Sequence, residues 1–458
     1  MDALKRYALF FSFALILLVS FGCGWQEAPA APEPPEQPSP AEPAPTEPEP
    51  SWDADILPFD PAGFTREQML EDYDFLWDTI LENCPLMDGF ARQSGNNLEE
   101  IRLKGQAKVE ALQDGDAAGF EEAISYLGGY FRGMGHLTNV SAFVYYSVRD
   151  KDAYESETHK QVYLLPQVQS YYKWASTLPK FESQRKSQAA NSSNAPQQGG
   201  LEGLEASQRQ DVPILRLKTF QFGPQGQGQA IQQIQRFCLD NLDAPHIVLD
   251  IRGNSGGSTA VWEQGLEPLF AGKVLEEQFF AAYRDTPLNR QMWDGWPENQ
   301  PEAKTFAPDQ LPEMLPNASG LVMEDLSQAD VAAQRRIQFD YSDLQNPGGK
   351  TFEGRLWLLI DSSNYSAAEA LIQRLQGCDF VALVGAPTRG GGMIFAAPAK
   401  IPFALPNSGM LYQYAPFYCM NPDGSCNEFG GAKPDIDVGR EDALEVCLRE
   451  IAKEEDNF

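Results

Sequence analysis

One junction constrains this chain more than any other stretch: the apolar run Leu356-Trp357-Leu358-Leu359-Ile360 leads into Asn364-Tyr365-Ser366-Ala367-Ala368-Glu369-Ala370-Leu371. The run has the length and bounding residues of a buried strand, and from Ala367 onward Ala368, Leu371, Ile372 and Leu375 recur at helical spacing. The sequence therefore predicts strand, turn and helix, with Ser366 in the first helical turn. There, unpaired backbone N–H groups and the positive end of the helix dipole face solvent or a ligand. That position suits stabilisation of an oxyanion, although an isolated serine before a helix is more often only an N-cap.

The rest of the chain repeats the alternation. Val212 to Leu217 alternates like a strand, Ala230, Ile231, Ile234, Phe237 and Leu242 mark a helix, and His246 to Arg252 reads as a buried strand ending in Gly253-Asn254-Ser255-Gly256-Gly257. Phe380 to Gly385 is a further strand, followed by a glycine-rich loop, Pro387 to Gly392, expected to be flexible. Strands alternating with helices predict an α/β sheet with parallel members and functional loops at the strand ends. The glycine turn at 253–257 fits neither GxGxxG nor a Walker motif, and Leu344 stands where a P-loop ending in Gly349-Lys350-Thr351 needs its first glycine. Glycines also let backbone N–H groups converge on an oxyanion.

Upstream, Thr65-Arg66-Glu67-Gln68 has the form of a capping box, and Leu70, Tyr73, Trp77, Ile80 and Leu81 follow at helical spacing. Further helices are predicted over about Leu98 to Leu112 and Ala117 to Phe131, with Asp116 as the N-cap of the latter. This unit ends at Gly133-Met134-Gly135-His136, in a turn rather than on an apolar face. Residues Phe181 to Gln210 are rich in Gln, Ser, Asn and Gly and read as a flexible boundary. The section from about Ala260 to Gly349 is aromatic and acidic, and reads either as an insertion over the cleft or as additional sheet and loop.

The net charge of −30 argues against nucleic acid or an anionic membrane surface as the main partner. Lys5 and Arg6 precede an apolar segment from Tyr7 to Phe21 that ends at Gly22-Cys23, the pattern of a secretion signal. It resembles a bacterial lipoprotein signal, in which Cys23 would be diacylated. Ser20 and Phe21 depart from that pattern, and simple cleavage or an uncleaved anchor is the alternative. Residues Gln26 to Pro50 alternate Pro, Glu and Ala and are expected to form an extended tether. Export permits disulfides, and Cys419 and Cys426 flank the turn Asn421-Pro422-Asp423-Gly424, so a local bridge is expected there. With three His and no CxxC or HExxH, neither a metal nor another cofactor is expected.

Four segments occur in an order that resembles the secreted serine peptidases including C-terminal processing (tail-specific) proteases and the tricorn core. They are the Asp72-to-Trp77 helix with Pro85 behind it; Asp250 to Gly257; Tyr365 to Glu369 followed by Gly385 to Gly391; and Glu428 to Val438. The resemblance implies an α/β fold with a mixed sheet and flanking helices (a ClpP/crotonase-like core), preceded by a small helical N-terminal domain. The organisation expected is a signal over 1–22, a tether over 23–52, a helical domain over 53–140, and a variable, partly low-complexity connection over 141–211. A peptidase core follows over 212–448, with an insertion at about 260–349. No segment between Val140 and Asp211 reads as the usual PDZ domain, which puts preference for a free C-terminus in doubt.

The family contains two catalytic designs. One pairs Ser with a Lys in the loop after the next strand. Here that loop reads Thr388-Arg389-Gly390, and Arg cannot lose a proton to act as a base. In the tricorn-like design a His after the helical unit is the base and a Glu before a Gly-x-x-Pro-Asp segment orients it; His136 and Glu428 match those positions. The resemblance thus implies a Ser366–His136–Glu428 triad, an oxyanion held by the N–H of Ala367 and of Gly256 or Gly257, and protein or peptide substrates. The competing expectation is a peptide- or cell-wall-binding lipoprotein that keeps the fold without turnover.

Overall fold

In the computed structural model, described over residues 59–131, 134–150, 152–184, 201–222, 224–293, 303–392 and 399–455, the capping box forms as the sequence predicts. Thr65 Oγ1 accepts from the N–H of Gln68 while the Gln68 side chain accepts from the N–H of Thr65, starting helix α1, Arg66–Asn83. Its apolar stripe buries Tyr73, Leu76, Trp77 and Ile80 against α2 (Met87–Ser94), α3 (Leu98–Glu110) and α4 (Ala117–Phe131). Asp116 caps α4 by accepting from the N–H of Gly119 at 2.9 Å. The signal segment, Cys23 and the tether lie outside the described residues. Among those residues no helix is long and apolar enough to cross a membrane.

The central sheet has the order β13-β9-β8-β4-β3-β2, built from β2 (Leu204–Arg209), β3 (Val212–Leu217), β4 (His246–Asp250), β8 (Arg355–Ile360), β9 (Val381–Gly385) and β13 (Ile436–Asp437). Five strands are parallel and β2 is antiparallel to β3, so the sheet is mixed. One face carries Leu249, Leu358, Ile360 and Leu383, packed with Leu371, Ile372 and Leu375 of the helix Ala367–Leu375. The other carries Val248, Trp357, Leu359 and Val384 against the C-terminal helix Ala443–Glu455. Burial on both faces explains why these strands read as near-continuous apolar runs.

Two smaller sheets complete the fold. β5 (Val274–Tyr283), β6 (Ala303–Phe306), β7 (Val331–Asp340) and β12 (Phe417–Met420) form an antiparallel sheet in the order β12-β5-β7-β6, so the section 260–349 supplies additional sheet. β1 (Thr138–Asn139), β11 (Leu411–Tyr414) and β10 (Ile401–Ala404) form the third sheet, in that order, and their apolar residues join the core of the N-terminal helices. The stretch expected as a variable, partly low-complexity connection contains helices α5 (Ala142–Arg149), α6 (Glu157–Tyr163) and α7 (Pro166–Ala175). Tyr145, Tyr163 and Tyr172 are buried there, with the Tyr145 and Tyr172 rings stacked at 4.0 Å. The flexible boundary expected to reach Gln210 is corrected as well. Residues 204–209 form β2, and Gln210 and Asp211 both take positive φ at the tight turn into β3.

Candidate active site

Ser366 lies between β8 and the helix Ala367–Leu375, at φ 58° and ψ −122°. For a residue with a Cβ this backbone costs on the order of 1–3 kcal/mol and persists only where the surroundings enforce it. They do so here. The N–H of Ser366 donates to Gly390 O at 3.2 Å, and its carbonyl accepts from the N–H of Ala370 at 2.9 Å. Fully buried Asn364 donates through Nδ2 to Ile251 O at 2.6 Å and Asn254 O at 3.2 Å, and its Oδ1 accepts from the N–H of Asp361 at 2.7 Å. The Ser366 hydroxyl makes no capping hydrogen bond to the helix it precedes, so its role is not that of an N-cap. The backbone matches the sharp strand-to-helix turn that presents a nucleophilic hydroxyl at the edge of a sheet.

The glycine turn after β4 packs directly against Ser366. A Cβ on Gly256 would lie 3.0 Å from Ser366 Cβ and 2.9 Å from Ala367 N, so only glycine allows this approach. The N–H of Gly256 is engaged, donating to Asn254 Oδ1 at 2.8 Å. On either side of Gly257, Phe220 donates to Gly256 O and Ser258 donates to Phe220 O, which turns the N–H of Gly257 away from Phe220. Of the backbone donors expected from sequence, those of Ala367 and Gly257 have no partner among the described residues. Gly256 does, which disfavours it for the role.

His136 lies in the 3-10 turn Met134–His136 at φ 53°, a left-handed position that His tolerates better than most residues. Its ring is 5.7 Å, centroid to centroid, from that of Tyr365, the residue before Ser366. Glu428, in the short helix Asn427–Gly430, accepts at Oε2 from the N–H of Gly135 at 3.0 Å. The structure therefore brings together the three segments that carry the sequence-predicted residues, through Tyr365 beside Ser366 and Gly135 beside His136. Among the described residues, however, no hydrogen bond joins His136 to Ser366 or to Glu428.

The electrostatics agree with that separation. Burial lowers the His136 pKa from 6.5 to about 4, with the positive charge of Lys400 adding to the effect. Burial raises Glu428 from 4.5 to about 7, opposed by the Gly135 hydrogen bond and reinforced by the nearby carboxyl of Glu369. A direct His136–Glu428 pair would push both groups the other way.

The loop Pro387 to Gly392 is packed rather than flexible, a correction to the sequence reading. Gly390 pairs with Tyr365 in a parallel bridge, and a Cβ on Gly391 would strike the Tyr365 ring at 2.1 Å. Beneath this loop Glu369, fully buried, accepts from Thr388 Oγ1 at 2.5 Å, Asn427 Nδ2 at 2.7 Å, Gln373 Nε2 at 2.9 Å and the N–H of Ala432 at 2.9 Å. These bonds tie the helix that follows Ser366 to the residue that precedes Glu428. Sequence reasoning left Glu369, Asn254 and Asn364 without roles, because their partners lie in other segments. A carboxylate three residues after the serine, on the helix's buried side, was the available signal for Glu369.

Cys419 and Cys426 are both buried and are not bridged to each other, so the expected disulfide is absent. Cys426 pairs across the turn with Met420, one residue beyond Cys419, and successive strand residues point to opposite faces. Among the described residues no group of three or more His, Cys, Asp or Glu is placed to hold a metal ion.

Comparison with known proteins bears on this arrangement. The family model described as "Peptidase family S41" matches residues 211–438, about half of the chain, covering the glycine turn, Ser366 and Glu428 but not His136. No curated protein matches the chain. Among solved structures, mature CPAF complexed with lactacystin is similar at 14% identity and TM-score 0.46, over 86% of this chain and 97% of that one. A lipoprotein from Streptococcus agalactiae is similar at 12% identity and TM-score 0.41, over 84% and 96%. The photosystem II D1 C-terminal processing protease is similar at 16% identity and TM-score 0.29, over 50% and 42%. Likeness at these values carries no argument about chemistry. The family match coincides with the segments that build the site, and on it the chain belongs to peptidase family S41.

Proposed function

We propose that this protein is an exported serine peptidase that hydrolyses peptide bonds of proteins or peptides through an acyl-enzyme on Ser366. The observation that carries the reading is the backbone of Ser366: a strained serine at an open helix N-terminus, its hydroxyl unspent and two N–H groups without partners beside it. His136, neutral at physiological pH, takes the hydroxyl proton as Ser366 Oγ bonds to the substrate carbonyl carbon, and returns it to the leaving amine. Water then attacks the ester with His136 again as base, releasing the acid and restoring Ser366. Ala367 and Gly257 donate to the oxyanion, each worth about 3 kcal/mol in such sites. Glu428 orients His136 and stabilises its charged form. The hydrogen bonds of this relay form as substrate binds, in keeping with long contacts in unliganded sites. At the N-terminus, Cys23 carries the lipid and residues 26–50 hold the catalytic part away from the membrane.

The absence of a His136 hydrogen bond to Ser366 or Glu428 favours a second reading, a peptide-binding lipoprotein without turnover. Casein cleavage separates the two. The peptidase reading predicts proteolysis that falls about a thousandfold or more in Ser366→Ala and in His136→Ala, both folded. Failure of a serine-reactive phosphonate to label the folded protein would instead support the binding reading.

A further inference from the structure

A groove of about 470 Å³ opens beside β1, immediately after His136. Its walls include Gly128 of α4, Leu137, Asn139 of β1, Ser141 and Val144 at the start of α5, and Lys180. Three residues span at most roughly 10 Å, so Asn139 lies within a few substrate residues of the proposed base.

Two features point to an extended chain as occupant. Among the described residues β1 is the edge of its sheet, paired on one side, with β11. The N–H of Val140 donates to Leu411 O, and residues along an antiparallel strand alternate in direction, so the N–H of Asn139 faces the open side together with its C=O, which accepts from Thr138 Oγ1 at 3.3 Å. Such an edge is a template for an added strand. The second feature is Gly128. A glycine inside a helix costs about 1 kcal/mol relative to alanine. Gly105 in α3 is required by packing, since its Cβ would strike Tyr73 Oη at 2.2 Å. Gly128 is not: the nearest atom to an added Cβ is Thr138 Oγ1, at an ordinary 3.6 Å. Alanine would fit at that distance, whereas a larger side chain at 128 would enter the groove.

We infer that this groove seats an extended segment of the protein substrate as a strand against Asn139, next to the scissile bond; the assignment rests on the peptidase reading above. Leu137 and Val144 offer the occupant apolar contact, and the edge strand recognises its main chain. The polar lining is hydroxyl and amide, and the charge of Lys180 is partly answered by Glu121 at 3.5 Å. The subsite therefore tolerates varied substrate sequences.

The test uses the full chain carrying Ser366→Ala and fluorescently labelled β-casein, with binding followed by anisotropy. Gly128→Phe fills the groove and is expected to weaken binding about tenfold or more. Asn139→Pro removes the outward donor, a change that edge strands tolerate, and is expected to weaken it about threefold or more. Gly128→Ala, with room for its methyl group, binds as the parent does and melts no lower, which separates groove filling from misfolding. Binding of Gly128→Phe and Asn139→Pro within twofold of the parent overturns the inference. In the chain with Ser366 intact, Gly128→Phe is expected to leave phosphonate labelling unchanged, and a parallel loss of labelling also counts against it. A parent chain that binds casein but takes no phosphonate would sink the peptidase reading instead.

Discussion

Glu428 accepts a hydrogen bond from the main-chain N–H of Gly135, the residue immediately before His136, at 3.0 Å. Two segments nearly three hundred positions apart are thereby fixed to each other, and the carboxyl is stationed at the base of the turn that carries the imidazole. The bond sets the position of the His136 turn even while the imidazole itself is unpaired with Glu428.

Glu428→Gln keeps an acceptor for Gly135 but cannot carry the charge that stabilises a protonated His136. The expected result is a folded protein with kcat reduced about a hundredfold to ten-thousandfold and KM little changed, measured on a chromogenic peptide. Retention of kcat within threefold would show that Glu428 acts only as a structural acceptor.

Titration gives two opposed effects on stability. The Glu428 pKa is raised from 4.5 to about 7, so the folded state holds the extra proton and stability falls as pH rises through that window. The His136 pKa is lowered from 6.5 to about 4, so the unfolded state holds the extra proton and stability rises as pH climbs from about 4 to 6.5. Each effect is worth on the order of 3 kcal/mol, and the two largely offset each other. Thermal unfolding of Glu428→Gln is therefore expected to gain on the parent as pH rises from 5 to 8. His136→Gln is expected to lose ground against it over the lower part of that range. Parallel pH curves for all three proteins would contradict both shifts.

Activity follows the same groups. His136 is already the neutral base above about pH 4, so the acid limb of kcat/KM is set by ionisation of Glu428 and is expected near pH 7. A limb near pH 4 would assign the titration to His136 alone.

Glu369 holds four donors, one of them the side chain of Asn427. Glu369→Ala takes one buried acceptor from each of them, although the N–H of Ala432 keeps Thr388 Oγ1 at 2.7 Å and Asn427 Nδ2 keeps Asn421 Oδ1 at 2.9 Å, and it is expected to destabilise the protein by about 2 kcal/mol in a urea titration. Glu369→Gln keeps part of the network and is expected to lose less. A change under about 1 kcal/mol for the alanine variant would mean that the loop and the Asn427 helix are held by other contacts.

Much of this architecture is legible in the sequence where one segment carries its own signal. The Thr65–Gln68 capping box, the apolar runs of β4 and β8 and the helical spacing after Ala367 each fix an element locally. β2 was hidden because Leu204 to Arg209 is a polar, exposed edge strand with no apolar alternation, beside a low-complexity stretch. The glycines at 390–392 read as loosening a loop, whereas they admit Tyr365, Asn427 and the Ser366 helix at close range. The residues implied for catalysis were assigned from the order of their segments along the chain. The asparagines and the carboxylate that hold them were not, since Asn254, Asn364 and Glu369 act only on segments that folding brings near.

Whether Ser366 is a nucleophile activated by His136 is tested most directly by the rate of phosphonate labelling, followed by mass spectrometry of the intact protein and peptide mapping. The prediction is a single adduct on Ser366, slowed about a hundredfold or more in a folded His136→Ala variant and absent in Ser366→Ala. An adduct on another residue, or labelling of Ser366 at an unchanged rate without His136, would contradict it.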